Sequence, residues 1–290
     1  MKGDEKLWRI LCDKFEMLLA GQRLHEALRV GETALQVAQR SFPENHPSLA
    51  RNYERLGQIH DQQGHVEEAR AHLVRALRIL EANEPIDQRA IYRLARRLAQ
   101  LQESVGAEKE AVAFYERAIE SATALGNVPH SELGTMLNNV ALIYRRSGRQ
   151  KAAEPYYLHA LELYEKQLGP EHPDVAAVLN NLGVFYTNER RFDEAERAHQ
   201  RALAIRRKTN PKANPDVAQS KCNLAVLYHS RGDFTRADEL YRESLRTWEE
   251  IGQPAGEYEI AAANYADLLR SLGKKRKAAA IESRVRKRRS

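Results

Sequence analysis

Asparagine stands at 139, 181 and 223, at intervals of 42 residues, and again at 264, one residue early. Arg55 and Arg97 hold the two earlier places in the same column. The chemistry open to such a column is recognition rather than catalysis. An asparagine amide offers two N–H donors and a carbonyl acceptor, so it can grip the N–H and C=O of a peptide backbone without reading side chains. Four in register suit an extended chain. The competing account is that each amide bonds a neighbouring repeat and fixes its orientation. Arg51, Arg55, Arg93 and Arg97 add a second chemistry, because guanidinium forks take carboxylates and phosphates in pairs of bonds. They predict a partner segment whose acidic end points toward them, unless nearby acids such as Glu54 and Glu103 neutralise them.

The remaining reactive side chains lack the spacing that catalysis needs. His46, His130 and His172 recur at one loop position, so they are read as features of a repeat. His60, His65 and His72 flank one turn beside Asp61 but lack the i, i+4 pairing of a zinc helix, and solvated surface histidines are expected. Cys12 and Cys222 lie 210 residues apart, which is five intervals of 42. Five stacked helix pairs separate them by tens of Å, far beyond the ~7 Å a disulfide allows. They are expected to be reduced core thiols, and a cytoplasmic location follows by default. No glycine-rich phosphate loop, His-Glu-x-x-His or nucleophile elbow is present. The chain is expected to be no enzyme, with no cofactor and no metal.

The elements that hold these columns are announced by alanine. Ala27, Ala69, Ala111, Ala153, Ala195 and Ala237 keep the interval of 42, and a second ladder follows seven residues behind, from Ala34 to Ser244. A small residue at fixed spacing is what stacked copies of one supersecondary unit require where neighbouring helices come closest. In the second copy, Pro47–Gln63 predicts one helix and Val66–Ala82 its return, with Gly64 at the corner. That corner glycine recurs as Gly106, Gly148 and Gly232, and Arg190 replaces it once. A left-handed corner costs glycine nothing and arginine something, so a looser turn is expected there. Pro173 and Pro215 open helices, Asn214 is an expected N-cap, and Pro155 falls inside a return helix where a modest kink is expected. Six units result, at about 4–45, 46–87, 88–129, 130–171, 172–213 and 214–256, with a seventh over 257–290.

The Gly/Ala column (Gly57, Ala99, Ala141, Gly183, Ala225, Ala266), the tyrosines Tyr144, Tyr186 and Tyr228 and the two alanine ladders together resemble the tetratricopeptide repeat. The 42-residue length and the Leu168–Val175 loop followed by Leu179-Asn-Asn-Leu182 are similar to the repeats of kinesin light chains and their bacterial relatives. That resemblance implies an all-α, right-handed superhelical solenoid over residues 1–273, in which first helices line a concave channel. The stripe facing the channel would then carry Arg51, Arg55, Arg93, Arg97, Asn139, Arg146, Asn181, Asn188, Asn223 and Asn264. The function it implies is a non-catalytic scaffold or adaptor holding a protein or peptide.

Charge adds one further expectation. The net charge is +6, yet residues 274–290 carry nine basic groups against Glu282, so the other 273 residues sum to −2. A basic helix over 274–290 is expected to cap the array, with one face soluble. The alternative is a regulatory subunit that meets nucleic acid or another acidic surface through this end. Nucleic acid is disfavoured, since the segment lacks aromatic residues for stacking on bases. No run approaches the ~18 apolar residues of a membrane span.

Overall fold

A proline or a side-chain oxygen or nitrogen opens several of the helices, and the corners between them are tight. The computed structural model describes residues 2–209, 214–252 and 255–289, and all regular structure among them is helical. The chain divides into two units, Met1–Pro129 and His130–Ser290. In the first, α1 (Lys2–Ala20) pairs with α2 (Leu24–Ser41), α3 (Pro47–Gln62) with α4 (Val66–Glu81), and α5 (Gln88–Ser104) with α6 (Glu108–Leu125). In the second, the pairs are α7 (His130–Arg146) with α8 (Gln150–Leu168), α9 (Pro173–Asn188) with α10 (Phe192–Thr209), α11 (Pro215–Arg231) with α12 (Phe234–Ile251), and α13 (Ala255–Ser271) with α14 (Lys275–Arg289). Within each unit the return helix of one pair packs against the first helix of the next.

Local chemistry sets these boundaries. Asn214 caps α11, its Oδ1 accepting from the Val217 N–H at 2.9 Å, and Pro215 follows where an unpaired N–H would otherwise stand. His46 and His172 do the same work for α3 and α9, each Nδ1 accepting a backbone N–H at 3.2 Å. The expected corner glycine is left-handed at Gly64 (φ +77°), and Arg190 adopts that conformation too (φ +58°) with its guanidinium 5.8 Å from the Phe192 ring centroid. Gln22 is a second non-glycine corner, at φ +55°. Pro155 lies inside α8, where it leaves the carbonyl of Lys151 without its helical donor.

Both alanine ladders are sealed. Ala27, Ala69, Ala111, Ala153, Ala195 and Ala237 are buried, as is every member from Ala34 to Ser244. In the first unit the core is a run of Leu49, Leu73, Leu77, Ile91, Leu94 and Leu98 between helix pairs. In the second, large aromatics take over: Tyr157 lies 6.1 Å from Phe185 across α8 and α9, and Tyr241 lies 5.6 Å from Tyr265 across α12 and α13. Along α14, Ala278 is buried, while Ile281 and Val285 reach only half-burial.

Candidate functional site

The first helices of the second unit carry one repeating stripe. On α9 it reads Ala177, Asn181, Val184, Asn188, and on α11 Gln219, Asn223, Val226, Ser230. Outer members are exposed and the central Asn–Val pair is half-buried, whereas the adjoining columns (Val178 and Leu182, Ser220 and Leu224) are sealed. On α7 the same stripe gives half-buried Asn139 and Leu142 with exposed Arg146, and on α13 exposed Ile260 and Asp267 around half-buried Asn264. Helical spacing puts each stripe on one face. On α7, α9 and α11 it is a polar face with an apolar middle, and on α13 Asp267 takes the apolar place.

The asparagines are held in place. Asn181 donates through Nδ2 to Asn138 Oδ1 at 3.0 Å, and Asn223 donates to Asn180 Oδ1 at 2.8 Å. One pair further along, Asn264 lies near the Cys222 thiol, which burial pushes up to about 11 while the amide favours its charged form. Asn181 and Asn223 therefore each tie their helix to the first helix before it, so the neighbour-bonding account applies to these two amides. Each of these bonds takes one of the amide's polar contacts and leaves chemistry for others, because a primary amide has two donors and a two-lone-pair acceptor. Asn138 and Asn180, one residue earlier, are the acceptors.

The first unit solves the same position with ions. Arg55 meets Glu16 at 2.6 Å and lies 5.6 Å from the Phe15 ring centroid. Arg93 pairs with Glu54 through two bonds of 2.8 and 2.9 Å, which holds its pKa above the usual guanidinium value. Arg97 makes two bonds to Asp61, at 3.0 and 2.8 Å. Three of the four arginines thus lean on carboxylates from neighbouring first helices or their own surroundings, and Arg51 is exposed. Glu54 acts as a neutralising acid, while Glu103 instead accepts from the Tyr115 hydroxyl at 2.8 Å. Such part-exposed pairs are worth only about 0–1 kcal/mol each.

Two features escaped the sequence. The His60 and His72 rings stack at 5.3 Å and are half-buried rather than solvated, because α3 and α4 run antiparallel and bring these positions face to face. Burial lowers both pKa values. In the second unit His199 is buried against Gly183, and burial together with the Arg206 charge draws its pKa down to about 4. Arg206 is itself buried, donating to the Asp216 carbonyl at 3.0 Å and to Ser220 Oγ at 2.7 Å, so it fastens α10 to α11. A signal for both existed in the columns. His199 sits among Tyr115, Tyr157 and Tyr241, and Arg206 between Tyr164 and Trp248, all core positions. Among the described residues no group of three or more His, Cys, Asp or Glu side chains is placed to hold a metal ion, and no helix is long and apolar enough to cross a membrane.

A family model described as Tetratricopeptide repeat matches residues 16–82, 132–208 and 215–289. No curated protein matches the sequence at a significant level. Among solved structures, the chain is similar to BtubC (BKLC) from P. vanneervenii, at 26% identity over 80% of this chain and 93% of that one, with a TM-score of 0.59. It shares its fold with a putative kinesin light chain of nearly identical TPR-like repeats from Podosopora anserina, at 22% identity over 72% of this chain and 99% of that one, TM-score 0.56. It also shares its fold with a Rap protein complexed with Competence and Sporulation Factor, at 16% identity over 97% of this chain and 76% of that one, TM-score 0.58.

Proposed function

Because the chain belongs to the tetratricopeptide repeat family, we propose that it is a non-catalytic cytoplasmic scaffold that holds an extended protein segment on the first-helix face of its second unit. The observation that carries this reading is the stripe itself. Asn181–Val184–Asn188 and Asn223–Val226–Ser230 recur in register, reachable by solvent, between columns that are sealed. The amides are oriented by bonds to Asn138 and Asn180 before any guest arrives, which lowers the ordering cost of binding. Backbone groups of the guest would bond Asn139, Asn181, Asn223 and Asn264, with Arg146 and Asn188 at the margin, and its alternate side chains would rest on Leu142, Val184 and Val226.

The arginine wall of the first unit is a separate contact in this reading. There an acidic stretch replaces Glu16, Glu54 and Asp61 as the partner of Arg55, Arg93 and Arg97, with Arg51 beside them.

Peptides selected from a random display library against the intact protein test the reading. Val184→Glu and Val226→Glu should abolish capture while leaving the helical circular dichroism signal intact. Arg55→Glu with Arg97→Glu should remove only the acidic members of the selected set. Selected peptides that bind all three variants as tightly as the original protein would retire the proposal.

A further inference from the structure

Leu7, Ile10 and Met17 are among the most exposed large apolar side chains of the chain, at 45%, 54% and 64%. All three stand on one face of α1, at i, i+3 and i+10. The columns of Ile10 and Met17 are otherwise closed. The place of Met17 is taken in later first helices by Ile59, Leu101, Phe185, Leu227 and Leu268, each fully buried. The place of Ile10 is taken by Asn52, Leu94, Val178, Ser220 and Ala261, buried likewise. What covers them is the preceding pair: Ile59 shares a core cluster with Ala27 of α2, and the Phe185 ring lies tilted 6.1 Å from that of Tyr157 of α8. Among the described residues no return helix precedes α1. Its exposed face is therefore the face by which a first helix docks onto the pair before it.

The complementary surface lies in the second unit. A groove of about 480 Å³ runs between α13 and α14, lined by Ile260, Ala263, Asp267, Val285 and Arg286. Its columns are also closed elsewhere. Ala263 is exposed, whereas Asn180 and Cys222, in the same slot, are buried where the next first helix covers them. Val285 is half-buried, whereas Ala202 and Ser244 in its slot are sealed. Ile260 adds an exposed apolar side chain, 62% accessible, at the groove's edge. This is the seat of a first helix, and no first helix follows α14 among the described residues.

We propose that the protein associates head to tail with itself, the Leu7–Ile10–Met17 face of α1 in one copy filling the α13–α14 groove of another. The occupant is a second copy because the two exposed surfaces are the two halves of an interface that this chain already builds between its own pairs. The contact is heterologous, so each copy keeps one donor face and one acceptor groove for further copies.

Sedimentation velocity over a rising concentration series tests this with the full chain. The original protein should shift from monomer to larger species. Ile10→Glu with Met17→Glu, and separately Ile260→Glu with Ala263→Glu, should each remain monomeric, with circular dichroism showing retained helix. An equimolar mixture of the two variants should form a dimer and nothing larger, because only one productive contact is left. If the glutamate pair unfolds α1, Met17→Gln should still weaken association at least several-fold. A protein that stays monomeric throughout the series overturns the proposal and leaves both faces to foreign helices. Association that survives the groove variant but not the α1 variant also overturns it, since α1 would then be pairing with itself.

Discussion

A Cβ placed on Gly183 would lie 2.5 Å from the His199 ring, closer than real atoms approach. The ring has nowhere to retreat, because His199 is itself buried. Gly183→Ala should therefore destabilise the second unit by about 1–3 kcal/mol in urea denaturation, the usual cost of overpacking. The histidine also makes stability depend on pH. Its ordinary pKa is 6.5, and in the folded protein it falls to about 4. The unfolded chain takes up the proton first as pH falls. Stability from this group is thus complete above about 6.5 and is withdrawn between 6.5 and 4, on the order of 3 kcal/mol in all. His199→Leu, copying the Gly57–Leu73 pair of α3 and α4, should flatten that part of the pH profile. Equal slopes for the two proteins between pH 6.5 and 4 would refute the assignment.

At the scale of the helix pair, corners and ladders carry the argument. Arg190 holds a left-handed backbone that costs a side-chain-bearing residue about 1–2 kcal/mol. Its contact with the Phe192 ring returns about 0.5 kcal/mol of that. Arg190→Gly should raise the stability of the second unit by about 0.5–1 kcal/mol in denaturant titration, and no gain would mean the corner is unstrained. Much of this level was legible in the sequence. The interval of 42 marked both alanine ladders and the corner glycines, because each answers to backbone geometry that the repeats share, and Pro215 marked the Asn214 cap before it. Departures from the repeat were harder to read. The stacked His60 and His72 depend on which side chain meets which across a hairpin, and periodicity carries no such information. The recurrence of His46 and His172 was visible, but not that each ring caps its helix. The same limit applied to the candidate site. Its stripe could be placed from helical spacing, but whether Arg93 and Arg97 faced a guest or Glu54 and Asp61 could not, since any acid three or four residues from the stripe is a possible partner.

The whole chain is two stacks of helix pairs whose stability comes from neighbour on neighbour. Such an architecture leaves its first-helix stripes open between sealed columns, and those stripes are where a partner segment would lie. A photo-crosslinking amino acid installed at Val184 or Val226, with Arg197 and Gln200 on the exposed side of α10 as controls, addresses that assignment directly. Irradiation in native extract should give discrete adducts from the Val184 and Val226 positions, and only background from Arg197 and Gln200. Adducts that favour α10, or that appear equally from all four positions, would contradict the account.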